Sequence, residues 1–116
     1  MRHRVKGKKL DRKKEPREAM LKNLASSIII YEKVKTTEAK AKTVKPFLEK
    51  IITASIRGDL ASRRQLIRLL PQKMAVKKAM EILAVRYKDR RGGYLRIIKL
   101  GKRLGDNADI AQIELV

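Results

Sequence analysis

The chain is 116 residues long, enough for one ordinary domain and short for two. It carries 31 Lys plus Arg against 12 Asp plus Glu, a formal net charge of +19, with 43% hydrophobic residues, one histidine and no cysteine. This inventory excludes disulfides, thiolate catalysis and a His/Cys metal centre; no apolar run reaches the roughly 18 residues of a membrane span; and so basic a chain repels itself unless a polyanion neutralises it.

The charge is uneven. Residues 1–17 hold nine bases and two acids, residues 86–103 hold eight bases and one acid, and residues 104–116 hold three acids and no base. Residues 1–17 contain little to build a core, with Val5 and Leu10 standing alone. They also lack the apolar run that follows the basic start of a signal peptide, so a cytosolic protein is expected. The expected organisation is a basic RNA-binding N-terminal arm over residues 1–15 and a single α+β domain over 16–116. Such an arm lacks a core of its own and would order on a nucleic acid; a solubilising tail is the plainer alternative.

Pro16 opens, as a first helical position, a helix in which Leu21, Leu24, Ile28 and Tyr31 share one face, with Arg17, Lys22, Asn23 and Ser26 elsewhere. That helix should end near Glu32. Residues 33–37 alternate and are β-prone, which predicts a short strand. Thr36 or Thr37 can cap the next helix, and Glu38 suits its positive end. Ala41, Val44, Leu48, Ile51 and Ser55 form its buried stripe, widened by Phe47 and Ile52, and Pro46 should kink it. Gly58 stops this helix. Asp59 caps a third, with Leu60, Leu66, Ile67 and Leu70 as its apolar positions, and Pro71 stops that one. A fourth helix covers about 73–87, with Val76, Met80, Leu83 and Tyr87 on one side. After Gly92-Gly93, residues 94–100 and 109–116 read as two strands of an antiparallel hairpin, joined through the Gly- and Asp-rich stretch 101–108. The fold class is therefore α+β: two layers, four helices packed on a small three-stranded sheet, with a basic N-terminal extension.

No catalytic constellation emerges. His3, in the arm, has no apolar setting to tune it, and Ser or Thr nucleophiles lack a base. Glu32 with Glu38, or Asp106 with Asp109, could be drawn as acid pairs, but a structural role is favoured for each. The stretch from Gly101 to Gly105 lacks the spacing and the Lys-Ser/Thr of a phosphate loop. Phosphate binding without catalysis is better supported, because each neutralised phosphate releases counterions whatever the RNA sequence. The arm offers Arg2, Arg4, Lys6, Lys8, Lys9, Arg12, Lys13, Lys14 and Arg17, and the second cluster offers Arg90, Arg91, Arg96, Lys99, Lys102 and Arg103. Gly92 and Gly93 let a backbone approach RNA closely, or simply make a turn. Tyr94 could stack on an unpaired base or could be a core residue. Four aromatic residues, Tyr31, Phe47, Tyr87 and Tyr94, are too few for a single-strand stacking platform.

Several blocks resemble the bacterial large-subunit ribosomal protein numbered seventeen. They are Met1-Arg2-His3-Arg4, Lys8-Lys9-Leu10-Asp11-Arg12, Arg17-Glu18-Ala19-Met20, Val34-Lys35-Thr36-Thr37 followed by Ala39-Lys40-Ala41-Lys42, residues 48–53, Arg91-Gly92-Gly93-Tyr94 with Arg96-Ile97, Arg103, Gly105-Asp106-Asn107-Ala108 and Ile113-Glu114-Leu115-Val116. They run in order over nearly the whole chain, with residues 57–80 matching least. The resemblance implies a structural role in translation. The implied partners are 23S ribosomal RNA, on the solvent side of the large subunit near the mouth of the peptide exit tunnel, and neighbouring large-subunit ribosomal proteins. It implies no cofactor, metal, small-molecule substrate or membrane. It adds His3, Lys35, Thr36, Thr37, Lys40 and Lys42 to the expected RNA-binding residues. Two rival readings are a DNA-binding architectural protein or helical regulator, disfavoured by Pro71 and the lack of a tight Gly turn in 60–87, and an enzyme of RNA metabolism, for which no catalytic group can be named.

Overall fold

The computed structural model describes residues 14–116, with side chains from residue 16, so most of the expected arm lies outside the described residues. Helix α1 spans Lys14–Tyr31, strand β1 Lys33–Thr37, α2 Glu38–Arg57, α3 Leu60–Leu69, and β2 and β3 Leu95–Lys102 and Asp109–Leu115. Helix α4 covers 73–86 as one run in three segments, α-helical over Lys73–Lys78, π-helical over Ala79–Leu83 and α-helical again over Ala84–Arg86. The element order and the α+β class are those expected from the sequence.

Local chemistry explains most of the boundaries. α1 ends where Glu32 takes a left-handed conformation, φ +67°, its N–H donating to the Ile28 carbonyl at 2.8 Å. A left-handed non-glycine costs about 1–2 kcal/mol. Four tertiary bonds offset that cost: the Leu115 N–H donates to the Glu32 carbonyl at 2.9 Å, Lys78 donates once to its carboxylate and Arg86 donates twice. Thr37, the last residue of β1, is the cap of α2, its hydroxyl accepting the Lys40 N–H at 3.4 Å. α2 continues through Pro46 as one helix, with the proline exposed. It ends on Gly58 at φ +69°, and Asp59 caps α3 by accepting the Ser62 N–H at 2.7 Å.

The sheet is antiparallel in the order β1-β3-β2, with the last strand in the middle. Its register sets Val34 and Ile97 on either side of Ile113, and Leu95 opposite Leu115. This inner face is covered by α2 and by α1, while α3 and α4 pack on those helices. The core joins Ile28 and Ile29, the α2 stripe of Val44, Leu48, Ile51 and Ile52, and Leu66, Leu83, Tyr87, Tyr94 and Ile113. The second strand runs further than its sequence suggests, because a bulge between Lys99 and Gly101, with Gly101 at φ +106°, keeps it paired with β3 as far as Lys102.

Four placements differ from the sequence reading. Ser26 is fully buried, because the stripe of α1 is centred on Ala25, Ile28 and Ile29, and this same rotation leaves Tyr31 exposed. Leu60 and Ile67 of α3 are also exposed, since that helix buries only one narrow edge, through Ser62 and Leu66.

Candidate nucleic-acid interface

The two basic regions meet different fates. Of the arm cations, Arg2, Arg4, Lys6, Lys8, Lys9, Arg12 and Lys13, together with His3 and the Lys14 side chain, lie outside the described residues; Arg17 is half-buried in the first turns of α1. Lys35 stands exposed on the outer face of the sheet, Thr36 is half-buried in β1, and Thr37 is occupied as a cap. Lys40 is half-buried in the first turn of α2, and Lys42 pairs with Glu38 at 2.7 Å.

In the hairpin, acids from the C-terminal segment pair with the bases of β2 and the loop. Arg96 bonds Glu114 at 2.7 Å, Lys102 meets Asp109 at 3.1 Å, Arg103 meets Asp106 at 2.5 Å, and Lys99 reaches Glu38 at 3.6 Å. The Arg103 guanidinium and the Ala108 N–H hold the Asp106 carboxyl down at about 2, and Arg96 lowers that of Glu114, so these acids are ionised at neutral pH. The hairpin is thus partly self-neutralised. Its pairs are exposed and easily exchanged for phosphate, because surface ion pairs are weak and screened by salt. Glu32 and Glu38, like Asp106 and Asp109, are engaged by bases, so neither suggested acid pair is assembled for proton transfer.

The loop between α4 and β2 is different. Arg90, Arg91, Gly92 and Gly93 are exposed, and among the described residues neither arginine forms an ion pair. α2 holds this loop in place. The Glu49 carboxylate accepts the N–H groups of Tyr94 and Leu95, each at 3.3 Å. The Thr53 hydroxyl, which donates to the Glu49 carbonyl at 3.0 Å, lies 3.4 Å from the Tyr94 hydroxyl, and that hydroxyl donates to the Arg90 carbonyl at 3.1 Å.

Tyr94 is therefore a core residue. It is 1% exposed, and its ring lies 5.2 Å from that of Tyr87, so it cannot stack on a base in this conformation. Its placement follows from the apolar wall it fills under β2, and its hydroxyl is satisfied inside the protein. Glu49 and Thr53 escaped the sequence reading. Both belong to an ordinary helix, and nothing local announces partners more than forty positions away.

Among the described residues no group of three or more His, Cys, Asp or Glu could hold a metal ion, and no helix is long and apolar enough to cross a membrane. What the fold and surface define is a class: a small basic α+β scaffold that presents cations on a rigid frame. Comparison with known proteins makes this specific. The family model described as Ribosomal protein L17 matches residues 20–116. The chain is 49% identical over 117 residues to the large ribosomal subunit protein bL17 of Hydrogenobaculum sp. (strain Y04AAS1), covering 100% of this chain and 99% of that one. It is 48% identical over 116 residues to the bL17 of Rickettsia typhi, covering 100% and 85%, and 47% identical over 116 residues to that of Syntrophotalea carbinolica, covering 100% and 75%. The chain belongs to the ribosomal protein L17 family. It is a structural, non-enzymatic component of the large ribosomal subunit, which in bacteria is cytoplasmic, and its partners are ribosomal RNA and ribosomal proteins. The readings as a DNA-binding regulator or an RNA-processing enzyme fall away.

Proposed function

We propose that this protein binds and stabilises 23S ribosomal RNA on the solvent side of the large subunit, near the mouth of the polypeptide exit tunnel. The observation that carries the RNA contact is the loop 90–93, where two arginines without ion pairs among the described residues directly precede a bare glycine backbone on an anchored frame. Arginine's planar fork suits phosphate oxygens, and exposed backbone N–H groups add donors that no side chain blocks. Arg96, Lys99, Lys102 and Arg103 supply a second, exchangeable set along the hairpin, and Lys35 adds an exposed cation on β1. The arm of residues 1–15, acting as a separate RNA-binding extension of the domain 16–116, contributes eight bases against two acids. The position near the tunnel rests on the family resemblance alone.

The test is a hydroxyl-radical footprint of 23S RNA in large subunits assembled with and without the protein. Protection clustered in the RNA around the tunnel mouth is expected. Protection on the face that meets the small subunit would overturn the location, and recovery of the protein only in the free soluble fraction would overturn the binding. Deleting residues 1–13 should weaken binding and flatten its salt dependence by about 0.7–0.9 for each phosphate that is no longer neutralised.

A further inference from the structure

A hollow of about 420 Å³ lies between α2, α3 and the loop 90–93. Lys50, Thr53 and Arg57 line it from successive turns of one face of α2, Gln65 from α3, and Arg91 and Gly92 from the loop. Its size lies within the ~300–1,000 Å³ typical of pockets that hold a small organic ligand. We propose that this hollow receives one unpaired nucleotide of the ribosomal RNA. The proposal rests on the RNA-binding reading above and deepens it by naming the kind of nucleotide and the residues that take it.

Charge comes first. Among the described residues, Lys50, Arg57 and Arg91 form no ion pair, in contrast to Arg96, Lys102 and Arg103 of the hairpin. Glu49 also lines the hollow, but its carboxylate accepts the N–H groups of Tyr94 and Leu95, so three cations face one committed acid. A phosphate is the anion that this arrangement suits, since two guanidinium forks can each grip a pair of its oxygens. The remaining groups suit a base or a sugar. The Gln65 amide offers a donor and an acceptor to a base edge, and Thr53 keeps acceptor capacity for a ribose hydroxyl. The site is concave. A base stacked inside a duplex cannot enter it, whereas a nucleotide turned out of its helix can, and single-stranded loops and bulges are where proteins read RNA by sequence.

Gly92 gives an independent reason. A Cβ built there would meet nothing within 4 Å, and its φ lies outside the left-handed range, so nothing within the described chain requires glycine at this position. Its neighbour Gly93 is at φ +66° and needs its freedom for the turn. What glycine offers at 92 is bare backbone on the wall of the hollow, which lets an outside group come close.

The full chain and two variants, Gly92→Ala and Gln65→Glu, would be bound to deproteinised large-subunit ribosomal RNA at fixed salt, reading both Kd and the chemical reactivity of unpaired bases. Each variant should raise Kd about tenfold, the effect of removing one specific interaction with RNA. One unpaired nucleotide protected by the wild type should become reactive, while the remaining protections persist and the melting temperature is unchanged. Gln65 is exposed, so Gln65→Glu leaves the fold intact even if Gly92→Ala loosens the loop; because its new charge repels any nearby phosphate, the reactivity of the single nucleotide decides the matter, not Kd alone. Wild-type Kd and footprint in Gln65→Glu, with the RNA otherwise protected, would overturn the pocket and leave the RNA-binding reading standing. A wild-type protein that protects no nucleotide would overturn both.

Discussion

The carboxylate of Glu49 accepts the backbone N–H of Tyr94 at 3.3 Å, across 45 positions of sequence. With the second bond from Leu95 and the chain of hydroxyls from Thr53 through Tyr94 to the Arg90 carbonyl, it makes α2 the frame on which the loop 90–93 is mounted. A loop that presents arginines to RNA needs such a frame, because ordering it only on binding would subtract from affinity.

Glu49→Ala should destabilise the fold by about 1.5–3 kcal/mol, the range for losing hydrogen bonds to a charged acceptor. Urea unfolding measures the loss. Amide exchange should quicken first at Tyr94 and Leu95, and equal quickening throughout the sheet would show that the bond has no local role.

Tyr94 separates packing from recognition. Tyr94→Phe keeps the ring and removes the hydroxyl bridge, and should cost about 1 kcal/mol with rRNA affinity little changed. Tyr94→Ala opens a cavity and should cost about 3–5 kcal/mol. A Tyr94→Ala protein with wild-type stability and lost RNA binding would mean that the ring works outside the core.

The adjacent glycines should behave differently. Gly93→Ala forces a side chain into φ +66° and should cost about 1 kcal/mol, whereas Gly92→Ala meets open space and should leave the thermal midpoint in place. Paired thermal melts check this contrast.

Acid should weaken the junction between α1 and β1. Hydrogen bonds from Arg86, then Lys78, hold the Glu32 carboxyl down from an ordinary 4.5 to about 2. A carboxylate whose folded value is depressed contributes stability that is fully present above 4.5 and is lost as pH falls toward about 2. The melting temperature should therefore fall through that window. Glu32→Gln should show a shallower fall; Glu38, Asp59, Asp106 and Glu114, also lowered, keep it from vanishing. An identical pH profile for the variant would remove Glu32 from the account.

Cations that lack acid partners should matter more for RNA than those that have them. Arg91→Ala should weaken rRNA binding more than Arg103→Ala, because RNA must first displace Asp106 from Arg103. Filter binding at two salt concentrations ranks them, and the reverse order would contradict the hairpin's self-neutralisation.

Much of the framework was legible from the sequence because its causes are local. Periodicity gave the stripe of α2, Thr37, Gly58 and Asp59 gave its ends and the start of α3, and alternation gave β1 and β3. Net charge and the missing catalytic groups pointed to a scaffold for a polyanion before any contact was known. Other features had no local signal. The π-helical stretch at Ala79–Leu83 and the exposure of Tyr31 depend on which side of each helix meets its neighbours.

The sequence by itself determined the elements, the class and the excess of cations, since spacing, capping and charge are properties of short segments. Only the tertiary structure decided how those cations are used. Pairing β2 with β3 brings the acids of residues 104–116 onto the bases of the hairpin, and packing β2 against α2 buries Tyr94 and leaves Arg90, Arg91 and Gly92 outside. Those outcomes depend on neighbours far apart in the chain, where charge and hydrogen-bond partners are set by the fold.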